Sequence, residues 1–570
     1  MTAPTGAANG GKILVDALVT HGVDRAFCVP GESYLAVLDA LYDVRDRIEL
    51  IVCRQEGGAA FMAEAAGKLT GKPGICFVTR GPGATNAAIG VHTAQQDSTP
   101  MILFIGQVGG DVVEREAFQE IDYRRMYGPM AKWVAQIDRA ERIPEMVSHA
   151  FHLAVSGRPG PVVLALPEDM LMSEVVAPTT ATAYRRVVAN PGSRDMAQLR
   201  NMLFTCIRPL LVLGGGGWTA EACKQIQRFA ERNLLPVATS FRRQDLFDNR
   251  HELYAGDIGI GISPALQQRV KQADLLIVAG ARLGEMTSGG YTLFGVPRLE
   301  QRLVHIHPGA EELGRVYQAD LFINSGMPEF AEWAAVLGPA ETLNWEAWTK
   351  AAHSDYMNNI APVATPGTLN MSEVVAWLSN TLPRDAIVTN GAGNFSGWVQ
   401  RFHQYSGFRT QLAPTNGAMG YGVPAGVAAK ATYPGRTVIT FSGDGDYMMN
   451  GQELATAVQY DLPIIIFVVN NGMYGTIRMH QERDFPERVH GTALQNPDFA
   501  ALARAYGAHG ETVSTNAEFV PAFERAVASN KPAVIELRID PDVITTRTTL
   551  SAIRAKALEA KKPADQNPTA

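Results

Sequence analysis

Asp444 and Asp446 stand in the run Gly443-Asp444-Gly445-Asp446, and an asparagine pair, Asn470 and Asn471, follows one helical and one apolar stretch later. One carboxylate and one amide, with a backbone carbonyl nearby, make a sparse oxygen set. It leaves coordination positions open for water and phosphate oxygens, as Mg²⁺ prefers. For Asp444 and Asn471 to cooperate, one edge of a sheet must hold both. Thr437–Ser442 and Pro463–Val469 are unbroken, β-branched apolar runs suited to parallel strands buried on both faces. Asn450–Tyr460 between them has helical composition and no proline. A right-handed strand–helix–strand crossover delivers both carboxyl ends to the same edge, and Gly443 and Gly445 allow close backbone approach. The stretch reads as a cofactor-diphosphate site.

Gly-Asp-Gly followed by Asn-Asn resembles the thiamine-diphosphate signature. The surrounding sequence, from about Lys12 to Asp540, resembles the acetolactate (acetohydroxyacid) synthase branch of that family, unevenly in the middle. The resemblance implies thiamine diphosphate and Mg²⁺ as cofactors, with Asp444, Asn471 and the carbonyl of Met473 as metal ligands. Asp446, Gly472 and Tyr474 complete the site. In NGAGNFSGW, Ala392, Gly393, Asn394 and Phe395 match the diphosphate-binding turn, where backbone N–H groups at a strand-to-helix junction cradle phosphate oxygens. In PTNGAMGYGVPAG, Met419 matches the wedge that bends the coenzyme, and the carbonyl of Gly417 accepts from its amino group. The coenzyme's own aminopyrimidine serves as base if a carboxyl group stabilises its imino form, and CRQEGGAAFMAE places that carboxyl at Glu56, after an apolar strand and before a helix of small residues. Glu64, further along the same helix, is read as a local partner and left outside the site.

On the substrate side, REAFQEIDY resembles the stretch in which Phe118 and Gln119 face the reacting carbon; Lys132 in PMAKW also aligns, and Gly31 in CVPGES would offer an N–H to a developing oxyanion. Three departures stand out. Glu32 replaces a small residue, and His480 stands where the biosynthetic synthases carry a tryptophan, although Ile477 and Gln481 agree. GARLGEMTSGGYTLF keeps Arg282 but lacks the continuation of the flavin-binding synthases, so FAD is not expected. The glycine-rich Gly214–Trp218 is a weak nucleotide signal by itself. The implied activity is a decarboxylating carboligase acting on a 2-keto acid. The alternative is a non-ligating decarboxylase or C–C lyase, acyl-CoA-type substrates included.

Composition agrees with small-molecule chemistry. The 570 residues are 46% hydrophobic and 19% charged, with a net charge of −7 and no basic cluster to attract nucleic acid. No apolar run approaches a membrane span, and the start lacks a signal-peptide pattern, so a cytoplasmic protein is expected. Five cysteines without close spacing read as free thiols. Alternating helices and strands predict three α/β domains with parallel sheets, pyrimidine-binding, central and diphosphate-binding by resemblance. The expected boundaries are a disordered tail at 1–11, a first domain at 12–174, a linker at 175–195, a central domain at 196–336, a second linker at 337–366, a third domain at 367–545 and a tail at 546–570. The resemblance also implies a homodimer or homotetramer with sites shared between subunits; the sequence is silent on a regulatory subunit.

Overall fold

Every apolar run marked as a strand joins one of three parallel sheets in the computed structural model, which describes residues 6–176, 178–179, 181–339 and 343–561. The chain divides into two compact units: residues 1–358 with 405–416, and residues 359–404 with 417–570. The first unit holds two of the sheets. One is ordered Glu49–Val52, Arg25–Cys28, Gly74–Val78, Met101–Gln107, Pro161–Pro167, Trp133–Gln136, and all its pairings are parallel. The other, the central sheet, runs Tyr254–Ile258, Val237–Ser240, Pro209–Leu213, Leu275–Ala279, Arg302–His307, Leu321–Asn324. In both, the strands at the middle are buried along their whole length, as parallel sheets covered by helices require.

In the second unit, Ile387–Asn390, Val438–Gly443, Ile465–Asn470, Ala533–Arg538 and His509–Val513 lie side by side in that order, again parallel. Gly443 pairs with Val469, so Asp444 and the asparagine pair leave the sheet at one edge, as their spacing predicts. The crossover differs from the single helix expected at Asn450–Tyr460. It starts at once as Asp444–Asn450, passes a 3₁₀ turn at Gly451–Glu453 and ends as Leu454–Gln459.

Three expected boundaries are corrected. The tail at 1–11 is ordered from Ala7: Ala7–Asn9 pairs antiparallel with Glu174–Val176, and Gly10–Thr20 is helical. The linker at 337–366 contains the helix Glu346–Asn359. That helix belongs to the central block, because Trp345 and Trp348 donate their indole N–H groups to the carbonyls of Asn233 (2.9 Å) and Pro209 (3.0 Å), and Arg269 pairs with Asp355. The tail at 546–570 contains the helix Leu550–Ala560. It is held by Arg554, whose guanidinium grips both oxygens of the fully buried Glu482 at 2.7 and 2.8 Å. Of the stretch expected as a linker at 175–195, residues 178–192 carry no regular element among those described, while its ends fall in the strand Glu174–Val176 and the helix Ser193–Phe204.

Candidate active site

Glu56 opens the helix Glu56–Thr70, directly after the strand Glu49–Val52. Gln55 caps the helix by accepting from the N–H of Gly58, and the helix is buried nearly all round because its small residues let a neighbour approach closely. A Cβ on Gly90 of the next helix, Pro82–Asp97, would fall 2.4 Å from that of Ala60. This packing brings Asn86 to Glu56, whose Oε2 accepts from the Asn86 amide at 2.9 Å. At the far end Glu64 is fully buried, accepts from Thr99 Oγ1 at 2.6 Å and pairs with Lys68 at 3.2 Å, which fits its reading as a local partner.

The turn after the strand Gly74–Val78 gathers the other residues expected on this side, and sequence reasoning gave it no role. A Cβ on Gly31 would fall 2.4 Å from that of Thr79; one on Gly81 would fall 2.8 Å from the Cβ of Gln119; one on Gly83 would fall 3.4 Å from Oε1 of Glu56. Gly31, Gln119 and Glu56 therefore surround one turn. Gln119 takes a left-handed backbone (φ 66°) in an irregular loop. Glu120 staples that loop by accepting from the N–H groups of Glu114 (2.8 Å) and Ala117 (3.0 Å), and Phe118 beside it is 72% exposed. Glu32 is exposed and lies 3.8 Å from Arg80. Lys132 departs from its expected place on the substrate side. Its ammonium donates to the carbonyls of Leu153 (2.6 Å), Ser156 (2.6 Å) and Arg158 (2.8 Å), which uses all three of its N–H groups at the end of the helix Ile143–Val155.

In the second unit Asp444 is 3% exposed. Its Oδ1 accepts from the N–H of Gly445 at 3.0 Å, and its Oδ2 accepts from the N–H of Gly472 (2.9 Å) and the amide of Asn496 (2.7 Å). The N–H of Met473 also bears on this carboxylate; these donors are uncharged, and burial outweighs them in pushing the carboxyl above the usual range. A buried carboxylate so surrounded is suited to a cation. Asn471 accepts from the N–H of Met473 at 3.2 Å. The segment Gly472–Tyr474 is fixed by antiparallel contacts: Leu494 donates to Gly472, Tyr474 donates to Thr492, and Met473 bridges Ala493. The ring of Tyr474 lies where a Cβ on Gly445 would be, at 2.6 Å. Asp444, Asn471 and Met473 thus follow neighbouring strands at one sheet edge, and one carboxylate, one amide oxygen and one main-chain carbonyl are a donor set that fits Mg²⁺.

Asp446 has a different task. Its Oδ1 accepts from the N–H of Ala392 (3.1 Å) and of Gly420 (2.8 Å), so one buried carboxylate ties the turn Ala392–Phe395 to the loop carrying Gly417 and Met419. Gly391 must be glycine there, since its Cβ would meet the Asp446 oxygens at 2.2 Å. Phe395 fills the space beside Gly443, and Asn394 is held by Thr476, whose hydroxyl accepts from its N–H at 3.1 Å and donates to its Oδ1 at 3.0 Å. Gly417 is exposed with a left-handed backbone (φ 73°) and open space beside it. The helix Gly475–Asp484 carries Thr476 and, one turn on, His480. Ile477 is 55% exposed, and Gln481 braces the chain at His490 and Thr492. Thr476 and Asn496 escaped the sequence reading. Asn496 lies in a loop with no periodicity to mark it.

Residues 8–126, 196–332 and 391–537 match the models of the N-terminal TPP binding domain, the central domain and the C-terminal TPP binding domain of thiamine pyrophosphate enzymes. The chain belongs to the thiamine pyrophosphate enzyme family. Within that family it is similar to the acetolactate synthase isozyme 2 large subunit of Escherichia coli (strain K12), 30% identical over 538 residues, 93% of this chain and 96% of that protein. It is also similar to the acetolactate synthase large subunit of Corynebacterium glutamicum (31% over 550 residues, 94% of this chain and 87% of that protein). A third relative is the acetolactate synthase of Arthrospira platensis (31% over 556 residues, 94% of each chain). The five cysteines of this chain are free thiols, and among the described residues no helix is long and apolar enough to cross a membrane.

Proposed function

We propose that this protein is a thiamine-diphosphate- and Mg²⁺-dependent carboligase that decarboxylates a 2-keto acid and joins the remaining fragment to a second carbonyl compound. The observation that carries the reading is the buried Asp444, which accepts hydrogen bonds from the uncharged donors Gly445, Gly472 and Asn496 at the sheet edge that Asn471 and Met473 also follow. Asp444, Asn471 and the carbonyl of Met473 hold Mg²⁺, and the turn Ala392–Phe395, kept in place by Asp446 and Thr476, holds the diphosphate. When bound, the coenzyme supplies an acidic ring carbon and an electron sink for decarboxylation.

The chain's own groups do the rest. Glu56, oriented by Asn86, shares a proton with a ring nitrogen of the coenzyme. Met419 and the carbonyl of Gly417 would hold the coenzyme's ring portion, the first by apolar contact and the second as a hydrogen-bond acceptor. Phe118, Met419 and Ile477 exclude water where charge is lost. Gln119 hydrogen-bonds the second substrate, and the N–H of Gly31 serves developing negative charge. His480 shapes the acceptor side, and Lys132 acts on structure alone. The enzyme works as a homodimer or homotetramer in the cytoplasm. FAD is not part of this reading, since the stretch after Arg282 lacks the continuation of the flavin-binding synthases.

The test is NMR product analysis with pyruvate, thiamine diphosphate and Mg²⁺, run beside Glu56→Gln. Acetolactate from the wild type, with turnover in the variant reduced by about 10²- to 10⁴-fold, is the expected result. Acetaldehyde as the sole product would make the enzyme a simple decarboxylase, and an unimpaired Glu56→Gln would remove Glu56 from its role.

A further inference from the structure

Behind Asp444 a chain of side-chain hydrogen bonds crosses three neighbouring strands. The amide of Asn496 donates to Oδ2 of Asp444 at 2.7 Å and to Oδ1 of Asn470 at 2.9 Å. The Asn470 amide donates in turn to Oε1 of Glu536 at 2.7 Å. Glu536, on the strand Ala533–Arg538, is 1% exposed; its Oε2 accepts from Thr512 at 2.9 Å, and the guanidinium of Arg538 reaches both oxygens at 3.1 and 3.2 Å. The N–H of Gly472 adds a second tie, donating to both Asp444 Oδ2 (2.9 Å) and Asn470 Oδ1 (3.0 Å).

The asymmetry at Asp444 is informative. Oδ2 takes the amide of Asn496 and the N–H of Gly472, while Oδ1 accepts the N–H of its immediate neighbour Gly445, and the N–H of Met473 also bears on the carboxylate. We infer that Asn496 is a positioning residue for the metal site, which occupies Oδ2 of Asp444 and so presents Oδ1 to Mg²⁺, with Asn470 and Glu536 fixing the orientation of the Asn496 amide from behind. A free Asp side chain turns about two torsions, and here the outer oxygen is locked to a network spanning the strands Val438–Gly443, Ile465–Asn470 and Ala533–Arg538. Groups that orient a metal ligand from outside the coordination sphere commonly govern affinity by about 10- to 100-fold. The inference rests on the proposed metal role of Asp444, so its test separates the two.

Mn²⁺ affinity is measured by electron paramagnetic resonance in the presence of thiamine diphosphate for wild type, Asn496→Ala, Glu536→Gln and Asp444→Ala, with circular dichroism as a check on folding. Asn496→Ala is expected to bind Mn²⁺ about 10- to 100-fold more weakly, with excess Mg²⁺ recovering lost turnover, a recovery that general misfolding would not give. Glu536→Gln should show a smaller loss in the same direction, and it decides the matter should Asn496→Ala fail to fold. Folded variants that bind Mn²⁺ like the wild type while Asp444→Ala does not would overturn the role of Asn496 alone. Undiminished binding by Asp444→Ala would overturn the metal site itself.

Discussion

In the central sheet, the turn Gly214–Gly217 leaves the strand Pro209–Leu213 and meets the main chain at Gly280, which follows the neighbouring strand. In the Asp444 sheet, the turn Gly391–Phe395 leaves the strand Ile387–Asn390 and meets the side chain of Asp446. Glycine is compelled in both places, and the compelling neighbour differs. Backbone presses on backbone in the first case, with a Cβ on Gly280 falling 2.3 Å from the carbonyl oxygen of Gly214, and Trp218 (4% exposed) fills the space between the turns while its indole N–H caps that same carbonyl at 2.8 Å. In the second case a carboxylate takes one N–H from each of two loops and fixes both without filling the edge between them. A glycine-rich turn after a parallel strand therefore reports close approach, and what approaches decides whether a ligand can follow.

If the central turn is architecture, Trp218→Ala should cost about 3–5 kcal/mol of stability, the range for deleting a buried aromatic, with coenzyme affinity of the folded protein unaltered. Denaturant unfolding beside a coenzyme titration reads both quantities. A stable variant with weakened coenzyme binding would reverse the comparison. Asp444→Ala, in the open region, should act chiefly on binding: coenzyme and Mg²⁺ affinity fall by more than the about 10- to 100-fold that outer-shell partners command, while the loss of the acceptor for Gly445, Gly472 and Asn496 costs the apo-protein about 1–3 kcal/mol, offset in part by relief of a buried charge. Asp446→Asn tests the tie between the loops. It keeps the shape but replaces a charge-assisted acceptor for two N–H groups, and calorimetry should show coenzyme affinity reduced about 10-fold, the equivalent of one to two ordinary hydrogen bonds.

The same contrast explains what the sequence disclosed. Asp444 and Asn471 were legible because strand periodicity and the crossover rule alone place them at one sheet edge, and Gly443 does pair with Val469. Glu56 was legible through its motif, and its helix begins at that residue. The turn at Thr79–Gly83 was not, since its role is contact with three distant segments. Asn496 and Thr476 act through single side-chain bonds across long sequence separations, for which no local pattern exists. The helix Glu346–Asn359 reads as linker in the sequence because the stretch is irregular and polar; the buried Trp345 that secures it is one residue before its start. The helix Leu550–Ala560 reads as tail because its anchor, Arg554 on Glu482, joins residues far apart in the chain.

Lys132 offers the finest test, because motif alignment and geometry assign it different work. A substrate-side lysine would alter the ratio of ligation product to aldehyde when removed. The structure instead gives its ammonium three carbonyl acceptors, two of them from the closing turn of the helix Ile143–Val155 and the residue after it, where a cation also meets the negative end of the helix. Lys132→Met keeps the aliphatic stem and deletes the charge and all three donors. The expected loss is about 1–2 kcal/mol of stability, read by denaturant unfolding, with the product ratio unchanged at equal amounts of folded enzyme. Carbonyls at a helix end can turn to water when the ammonium leaves, which keeps the loss well below that of three buried bonds. A shifted product ratio at undiminished stability would return Lys132 to the substrate side and show that a helix cap, too, can conceal chemistry.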